Sequence, residues 1–168
     1  MKCFPVVCVA LVLLAVAGCK PKAKDIPPLQ RKEAASLASE GQFAVVMKDH
    51  ARAEPLFEKA AKLCPDNGEF WLNLGFTRRR LGNTAGARAA YTEARSAFHD
   101  AYALDRTQVD ALLQELYTLC LLGKVDEARS TFAKAQKNDA DNSRLKTFAE
   151  NKHIDRLLQD AGFKELAL

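Results

Sequence analysis

The side chains best suited to catalysis or metal binding are scattered along this chain. His50, His99 and His153 fall in separate segments, and no two of them are spaced as metal ligands on one helix. The sequence has no C-x-x-C pair, no glycine-rich phosphate loop after a strand and no nucleophile elbow. This pattern predicts no enzyme, no metal site and no cofactor. A catalytic site could then be formed only by residues that are distant in sequence and close in the folded protein.

One cysteine has a context that predicts covalent modification. Twelve consecutive apolar residues, 6–17, follow the basic start Met1-Lys2. The run is too short to span about 30 Å of hydrocarbon, which takes roughly 20 residues, and it fits the core of a secretory signal peptide. It ends in Val16-Ala17-Gly18-Cys19, which resembles the bacterial lipobox. The resemblance implies that residues 1–18 are removed as a lipoprotein signal peptide and that the Cys19 thiol receives a diacylglycerol.

Two alternatives to the lipobox remain, a plain signal peptide and a retained membrane anchor with a chance cysteine. In enteric lipoproteins an Asp after the lipidated cysteine retains the protein at the inner membrane. By resemblance, Lys20 favours the outer membrane, with the protein facing the periplasm. Residues 19–33 are therefore predicted to be a lipidated tether. Its prolines, Pro21, Pro27 and Pro28, favour extended conformations, and its basic residues fit a soluble spacer or incidental contact with lipid headgroups.

The rest of the chain has the composition of a helical protein. From Asp66 to Leu168 there is no proline, and two Val and one Ile stand against sixteen Ala and fifteen Leu. Such a stretch is poor in strand formers and rich in helix formers. The formal net charge of +4, with 27% charged residues, is ordinary for a globular protein and predicts no nucleic-acid partner.

Alanine and phenylalanine recur at one spacing in three places. The pattern Ala-x3-Phe-x2-Ala begins at Ala53, Ala94 and Ala128, so the copies are 41 and 34 residues apart. Thirty-four residues is the length of the tetratricopeptide repeat, and 41 exceeds it by two helical turns. The chain resembles that family most closely at Trp71, Leu74 and Gly75, which stand at three of its signature positions.

The resemblance implies an all-α fold, a right-handed α-solenoid of about three helix pairs with a C-terminal cap. The expected repeats are residues 34–67, 68–108 and 109–142, and the expected capping helices lie in 143–168. The sequence departs from the family where Arg78 replaces the usual Tyr, Leu116 a close-packing Gly and Ala140 a Pro.

Repeat two carries the seven extra residues. Its apolar spacing continues without a break from Thr84 to Leu104, which predicts one helix of about 21 residues and some 31 Å. We expect the extra turns to project beyond the neighbouring helices and to place His99 and Asp100 at an exposed edge.

In the tetratricopeptide family the first helix of each repeat lines a concave groove that binds a protein or a peptide. The resemblance carries this role to several positions. They are Gln42, Val45, Val46, Asn73, Phe76, Arg79, Arg80, Asp110, Gln114, Tyr117 and Leu121. The partner-binding residues we predict are Asn73, Phe76, Arg79, Arg80, Gln114 and Tyr117. Asp110 and Gln114 do not supply the cations of a carboxylate clamp, so no chaperone-tail clamp is predicted. Phe76 and Tyr117 fit a groove and packing between helices equally well.

The expected function is a membrane-anchored adaptor or scaffold in the bacterial cell envelope, with a protein or peptide partner. The alternative is a small-molecule-binding or enzymatic envelope lipoprotein, which an enclosed pocket with converging polar groups would favour.

Three smaller expectations concern the cap and the remaining cysteines. Asn142 or Ser143 should start a capping helix or helix pair, and Gly162 should end it. Cys64 and Cys120, a whole repeat apart, should be partly buried thiols and not a disulfide.

Overall fold

The computed structural model describes residues 25–168, and every regular element in that range is a helix. The predicted signal peptide, Cys19 and the first part of the predicted tether lie outside the described residues. The helices are α1 (Pro28–Val46), α2 (His50–Leu63), α3 (Gly68–Arg80), α4 (Thr84–Leu104), α5 (Val109–Leu121), α6 (Val125–Asn138), α7 (Ser143–Glu150), α8 (His153–Gln159) and α9 (Ala161–Leu166). Helices α1 to α6 pack chiefly against their neighbours along the chain. The all-α fold of three sequential helix pairs with a helical cap is confirmed.

Short polar side chains start five of these helices. The side chains of Asp49, Asn67, Asn83, Asn142 and Asp160 accept hydrogen bonds from backbone N–H groups in the first turns of α2, α3, α4, α7 and α9. Each cap satisfies donors that have no partner inside the helix. Gly82, with φ +78°, follows α3 and lets the chain turn into α4.

Small residues let the paired helices approach closely. A Cβ atom on Gly75 of α3 would overlap the ring of Tyr91 of α4, which is fully buried. A Cβ on Gly68 would lie 2.7 Å from the ring of Phe98. The glycine and aromatic positions of the repeat pattern therefore meet in space, and they set the distance between α3 and α4.

Helix α1 begins at Pro28 and not at residue 34, so it includes the last part of the predicted tether. The expectation of an extended chain was wrong for residues 28–33. Proline at the first position of a helix loses no intrahelical hydrogen bond, and its fixed φ suits the helix. Tertiary contacts then hold the first turn of α1. Gln30 Nε2 donates to Leu63 O at 2.9 Å, and Arg31 pairs with Asp66 at 2.7 Å.

Helix α4 runs from Thr84 to Leu104 as predicted, over 21 residues. Its last turns do not project beyond the neighbouring helices, so that part of the expectation was wrong. Phe98 packs on Gly68 at the start of α3, and Tyr102 is buried. His99 is exposed as expected, although it lies against Glu115 of α5, and Asp100 is half-buried. The extra turns therefore extend the contact between repeats two and three.

Residues 143–168 form three short helices, not one helix or a pair. Gly162 lies inside α9, so its predicted role as a helix stop was wrong. The chain changes direction at Lys152, with φ 48°, and at Asp160, whose side chain accepts from Phe163 N–H at 2.7 Å and starts a new helix. Asn142 caps α7 as expected. Cys64 and Cys120 are free and buried, as predicted.

Candidate functional site

Two predicted groove residues meet between α3 and α5. The rings of Phe76 and Tyr117 have centroids 6.2 Å apart and lie edge to face at 80°. Tyr91 of α4 lies 5.9 Å from Phe76, and Phe163 of α9 lies 5.6 Å from Tyr117. Four rings thus form a continuous row from the second helix of repeat two to the last helix of the cap. We call the surface around Phe76, Arg79 and Tyr117 the α3–α5 face.

The last nine residues of the chain, 160–168, lie on this face, and we call them the tail segment. Arg79 Nε donates to Ala167 O at 3.0 Å, and the Tyr91 hydroxyl donates to Leu166 O at 3.0 Å. The Leu168 N–H donates to Leu121 O, at the end of α5, at 2.9 Å. Three hydrogen bonds therefore fix the main chain of residues 166–168 to the α3–α5 face.

The tail segment also buries apolar side chains on this face. Phe163 is only 5% exposed, and Leu166, Ala167 and Leu168 are partly buried against the core. Phe76 and Tyr117 are half-buried, since each touches a neighbouring ring and the segment lies beside them. Their two predicted roles are thus combined: the rings pack between helices and also form part of the surface that holds a polypeptide segment.

The other predicted groove residues take no part in these hydrogen bonds. Arg80 is exposed, Asn73 is half-buried, and no hydrogen bond in the part of the chain that the structure describes joins either to the tail segment. Gln114 lines a separate open cavity beside Gly68 and Asp110. The structure therefore brings Phe76, Arg79 and Tyr117 together beside the tail segment, whereas Gln114 borders a different cavity.

The remaining candidates are engaged elsewhere or lie apart. Asp110 pairs with Arg144 of α7, and Leu121 is buried in the core. Gln42 and Val46 are exposed on α1, in repeat one. The residues that the family pattern assigns to one groove are thus divided among an open surface in repeat one, the covered α3–α5 face, and exposed positions of repeats two and three.

The three consecutive arginines of α3 have three different environments. Arg78 pairs with Glu54 at 2.9 Å and Glu58 at 3.5 Å, which ties α3 to α2. Arg79 holds the tail segment, whereas Arg80 is exposed. The interpretation as a solvated helix end therefore applies to Arg80 alone.

Burial favours the neutral form of the phenols on this face. Desolvation raises the pKa of Tyr91 far above its usual range, and the nearby Tyr117 phenol raises it further. Burial also raises the pKa of Tyr117. An ordinary phenol is already neutral at pH 7, so the Tyr91 hydroxyl keeps its proton and can donate to the Leu166 carbonyl.

Comparison with known sequences gives the same family as the repeat spacing. Two models described as tetratricopeptide repeat match this chain, one at residues 56–89 and the other at 90–151. Together the two matches span more than half of the 168 residues. The chain belongs to the tetratricopeptide repeat family. Tetratricopeptide domains are generally protein–protein interaction modules and typically serve as non-catalytic scaffolds.

One similar solved structure is described as the first TPR of Spaghetti (RPAP3) bound to the HSP90 peptide SRMEEVD. It is 19% identical to this chain, with a TM-score of 0.44, and the match covers 77% of this chain and 98% of that one. No curated protein matches the sequence.

The tetratricopeptide register explains a buried charge that sequence reasoning missed. Glu115 stands 41 residues after Leu74, at the equivalent position of the next repeat, and its side chain is only 1% exposed. Its Oε1 lies 3.0 Å from His99 Nδ1 and 3.4 Å from Arg95 Nε, both on α4. Burial raises the pKa of Glu115, although His99 and Arg95 act in the opposite direction. The sequence signal for this buried charge was a glutamate at a position where the tetratricopeptide pattern has leucine.

Glu115 borders a cavity of about 410 Å³ between α4, α5 and α6. Arg95 also pairs with Glu127 of α6 at 2.9 Å, so two carboxylates share this arginine. Among the described residues, Glu115 Oε2 has no hydrogen-bond partner. This polar network lies apart from the α3–α5 face, because it joins the two second helices, α4 and α6, around α5.

In residues 25–168, no three or more His, Cys, Asp or Glu side chains are grouped to bind a metal ion. None of the helices described there is long and apolar enough to cross a membrane.

Proposed function

We propose that this protein is a lipid-anchored adaptor of the bacterial cell envelope whose tetratricopeptide domain binds a protein or peptide partner on the α3–α5 face. The observation that carries the proposal is that this face holds a polypeptide segment within the chain itself. Arg79 and Tyr91 each donate a hydrogen bond to a main-chain carbonyl there. Main-chain carbonyls are present in any polypeptide, so the same donors suit a segment of another protein.

The anchoring part of the proposal rests on the sequence. Residues 16–19, Val-Ala-Gly-Cys, follow twelve apolar residues, and this context resembles a lipobox. Two or three acyl chains on Cys19, at about 0.8 kcal/mol per buried CH₂, would hold the protein stably on a membrane. We propose the outer membrane, with the domain in the periplasm, because Lys20 follows the cysteine. The chain from Cys19 to the start of α1 at Pro28 would serve as the tether.

The partner is sought by affinity capture from detergent-solubilised envelopes of the native bacterium. The full chain is compared with Arg79→Gln, which removes the side-chain donor on the α3–α5 face, and with Arg88→Gln, on the exposed side of α4. Both variants remove one arginine charge, so Arg88→Gln is the matched control. We expect Arg79→Gln alone to reduce recovery of the partner. Equal recovery with both variants would exclude this face, and recovery of no protein by the unmodified chain would refute the adaptor function.

The anchor is tested by mass spectrometry of the mature chain and by membrane fractionation. We expect an acylated N-terminal Cys19 in the membrane fraction, and an unprocessed, unacylated chain for Cys19→Ser. An unmodified mature N-terminus at another residue would refute the lipobox. The two experiments are independent, because the domain can bind a partner without its anchor.

A further inference from the structure

Resting on the proposed partner-binding role of the α3–α5 face, we propose that the tail segment is an intramolecular ligand of that face. A partner binds by displacing it with a segment of the same chemistry. That chemistry is an aromatic residue followed three and five positions later by leucine, as in Phe163, Leu166 and Leu168. The unpartnered protein is then self-occluded, and its affinity for a partner is set by competition with residues 160–168.

The hydrogen bonds to the tail segment have the form of peptide recognition. Arg79 and Tyr91 donate to the carbonyls of two consecutive residues, Ala167 and Leu166. In the other direction, Leu168 N–H donates to Leu121 O, one of the last carbonyls of α5, which has no partner within its own helix. All three bonds involve main-chain atoms of the segment. A foreign segment in the same conformation would therefore satisfy the same groups.

The side chains of the tail segment divide into anchors and exposed positions. Phe163 is buried with its ring 5.6 Å from Tyr117, and Leu166 and Leu168 pack against the core. Lys164 and Glu165, between the anchors, are exposed. The face therefore contacts three apolar side chains at fixed positions along the segment. It places no requirement on the side chains of Lys164 and Glu165 between them. Large apolar anchors in pockets are where binding energy concentrates at interfaces.

The structure of the tail segment depends on its tertiary contacts. Helix α9 has six residues and α8 has seven, whereas isolated helices shorter than about 12–15 residues are marginal in water. Asp160 joins the two helices in an extended conformation. Such a segment can open locally at a lower free energy than the core of the domain.

Helices α7 and α8 have their own contacts with the last repeat. Leu145 of α7 and Ile154 of α8 are buried in the main core, and α7 and α8 pack against α6 and α5. The tail segment contacts repeat three at Tyr117 and Leu121, and it also reaches α3 in repeat two. It therefore bridges two repeats across the α3–α5 face.

The test measures binding of a fluorescent peptide with the sequence of residues 160–168, DAGFKELAL, to the full chain. Phe163→Ala removes the anchor of the internal segment and leaves the α3–α5 face intact. Glu165→Ala, at an exposed position of the same helix, is the matched control. If the internal segment competes, weakening it raises the apparent affinity for the peptide in proportion to the fraction of open chains. We expect binding at least about 10-fold tighter for Phe163→Ala than for the unmodified chain or Glu165→Ala.

A double variant makes the result independent of one substitution. Leu166→Ala/Leu168→Ala keeps Phe163 but weakens the packing at the end of the segment, and it replaces Phe163→Ala if circular dichroism shows that variant to be unfolded. We call Phe163→Ala and this double variant the released variants. Adding Arg79→Gln to either variant should weaken peptide binding by about 10-fold or more, since the charged donor to the Ala167 carbonyl is lost. Peptide affinity equal in all folded variants, or no binding to a folded released variant, would overturn the proposal. Conversion of the released variants into peptide-resistant dimers would overturn it too, because a second copy would then be the occupant.

The outcome separates this inference from the adaptor function. A partner captured equally well by the unmodified chain and by Phe163→Ala would leave the adaptor function standing and refute displacement. Tight peptide binding by the released variants, without any captured partner, would support the intramolecular ligand and count against the adaptor function.

Discussion

Replacing the buried Glu115 by leucine should stabilise the protein. The side chain is only 1% exposed, and one of its carboxylate oxygens has no hydrogen-bond partner among the described residues. Leucine has a similar volume and occupies the equivalent position of repeat two, as Leu74, where it is fully buried. The substitution therefore removes the desolvation cost of a charge without opening a cavity.

The partners of Glu115 determine the sign of the effect. Removing one member of a buried ion pair usually costs about 3–5 kcal/mol, because the other charge is left buried. Here His99 has a side chain that is 52% exposed, so water can solvate it. Arg95 is 34% exposed and keeps Glu127 at 2.9 Å. Since neither partner becomes a buried lone charge, the case resembles replacement of a whole buried pair by apolar residues. That exchange is often neutral or stabilising by about 1–4 kcal/mol.

The assay is urea unfolding at neutral pH, followed by circular dichroism. We expect Glu115→Leu to raise the transition midpoint with an unchanged slope, which indicates a change in stability and not in the surface exposed on unfolding. Glu127→Leu is the matched control, because the Glu127 side chain is 40% exposed and its surface ion pairs are worth about 0–1 kcal/mol. A fall in stability by more than about 1 kcal/mol for Glu115→Leu would refute the reasoning, since the ion pairs would then outweigh desolvation.

The pH dependence of stability gives a second test, with Glu115→Gln. Burial raises the pKa of Glu115, so the folded state binds its proton more tightly than the unfolded chain does. Stability from this group must then fall as pH rises above the unfolded value of about 4.3. The facing groups are His99 and Arg95 on α4 and Glu127 on α6. Glu58 and Asp110, whose pKa values are lowered by basic partners, act in the opposite direction.

Because those other carboxyls titrate in both proteins, the informative quantity is the difference between Glu115→Gln and the unmodified chain. We expect the variant to gain relative stability as pH rises from about 4 to 7. A difference that does not change with pH would show that Glu115 titrates alike in the folded and unfolded states.

Three further predictions concern packing, thiol chemistry and helix capping. Gly75→Ala should cost about 1–3 kcal/mol in urea unfolding, because the new methyl group overlaps the buried Tyr91 ring, and an unchanged midpoint would contradict the close packing. Cys120 should resist a thiol reagent in the folded protein and react after unfolding, since burial raises its pKa to about 11, and rapid labelling of native protein would contradict this burial. Asn67→Ala should cost about 0.5–2 kcal/mol, because the side chain accepts from Glu69 N–H at 3.0 Å at the start of α3, and the loss should be absent for Asn67→Asp.

The sequence by itself determined the family and the helices of the three repeats, apart from the start of α1. Apolar residues at helical spacing and the 34-residue offset are local properties, and they predicted α4 from Thr84 to Leu104 without error. The packing of the Tyr91 ring on Gly75 follows from the repeat pattern, because the pattern places a small residue on the first helix opposite an aromatic residue on the second. The predicted lipidation of Cys19 belongs to the sequence alone, because that residue lies outside the described part of the chain.

Only the tertiary structure decided what lies on the α3–α5 face. The hydrogen bond from Arg79 to Ala167 joins residues 88 positions apart, and that from Tyr91 to Leu166 spans 75. The tail segment is not a copy of the repeat, so no periodicity assigns it a neighbour, and its predicted stop at Gly162 was wrong. Helical spacing shows which side of a short helix is apolar but not which surface will cover that side. That choice depends on the shape and hydrogen-bonding groups of a surface that exists only after α3, α4 and α5 have packed.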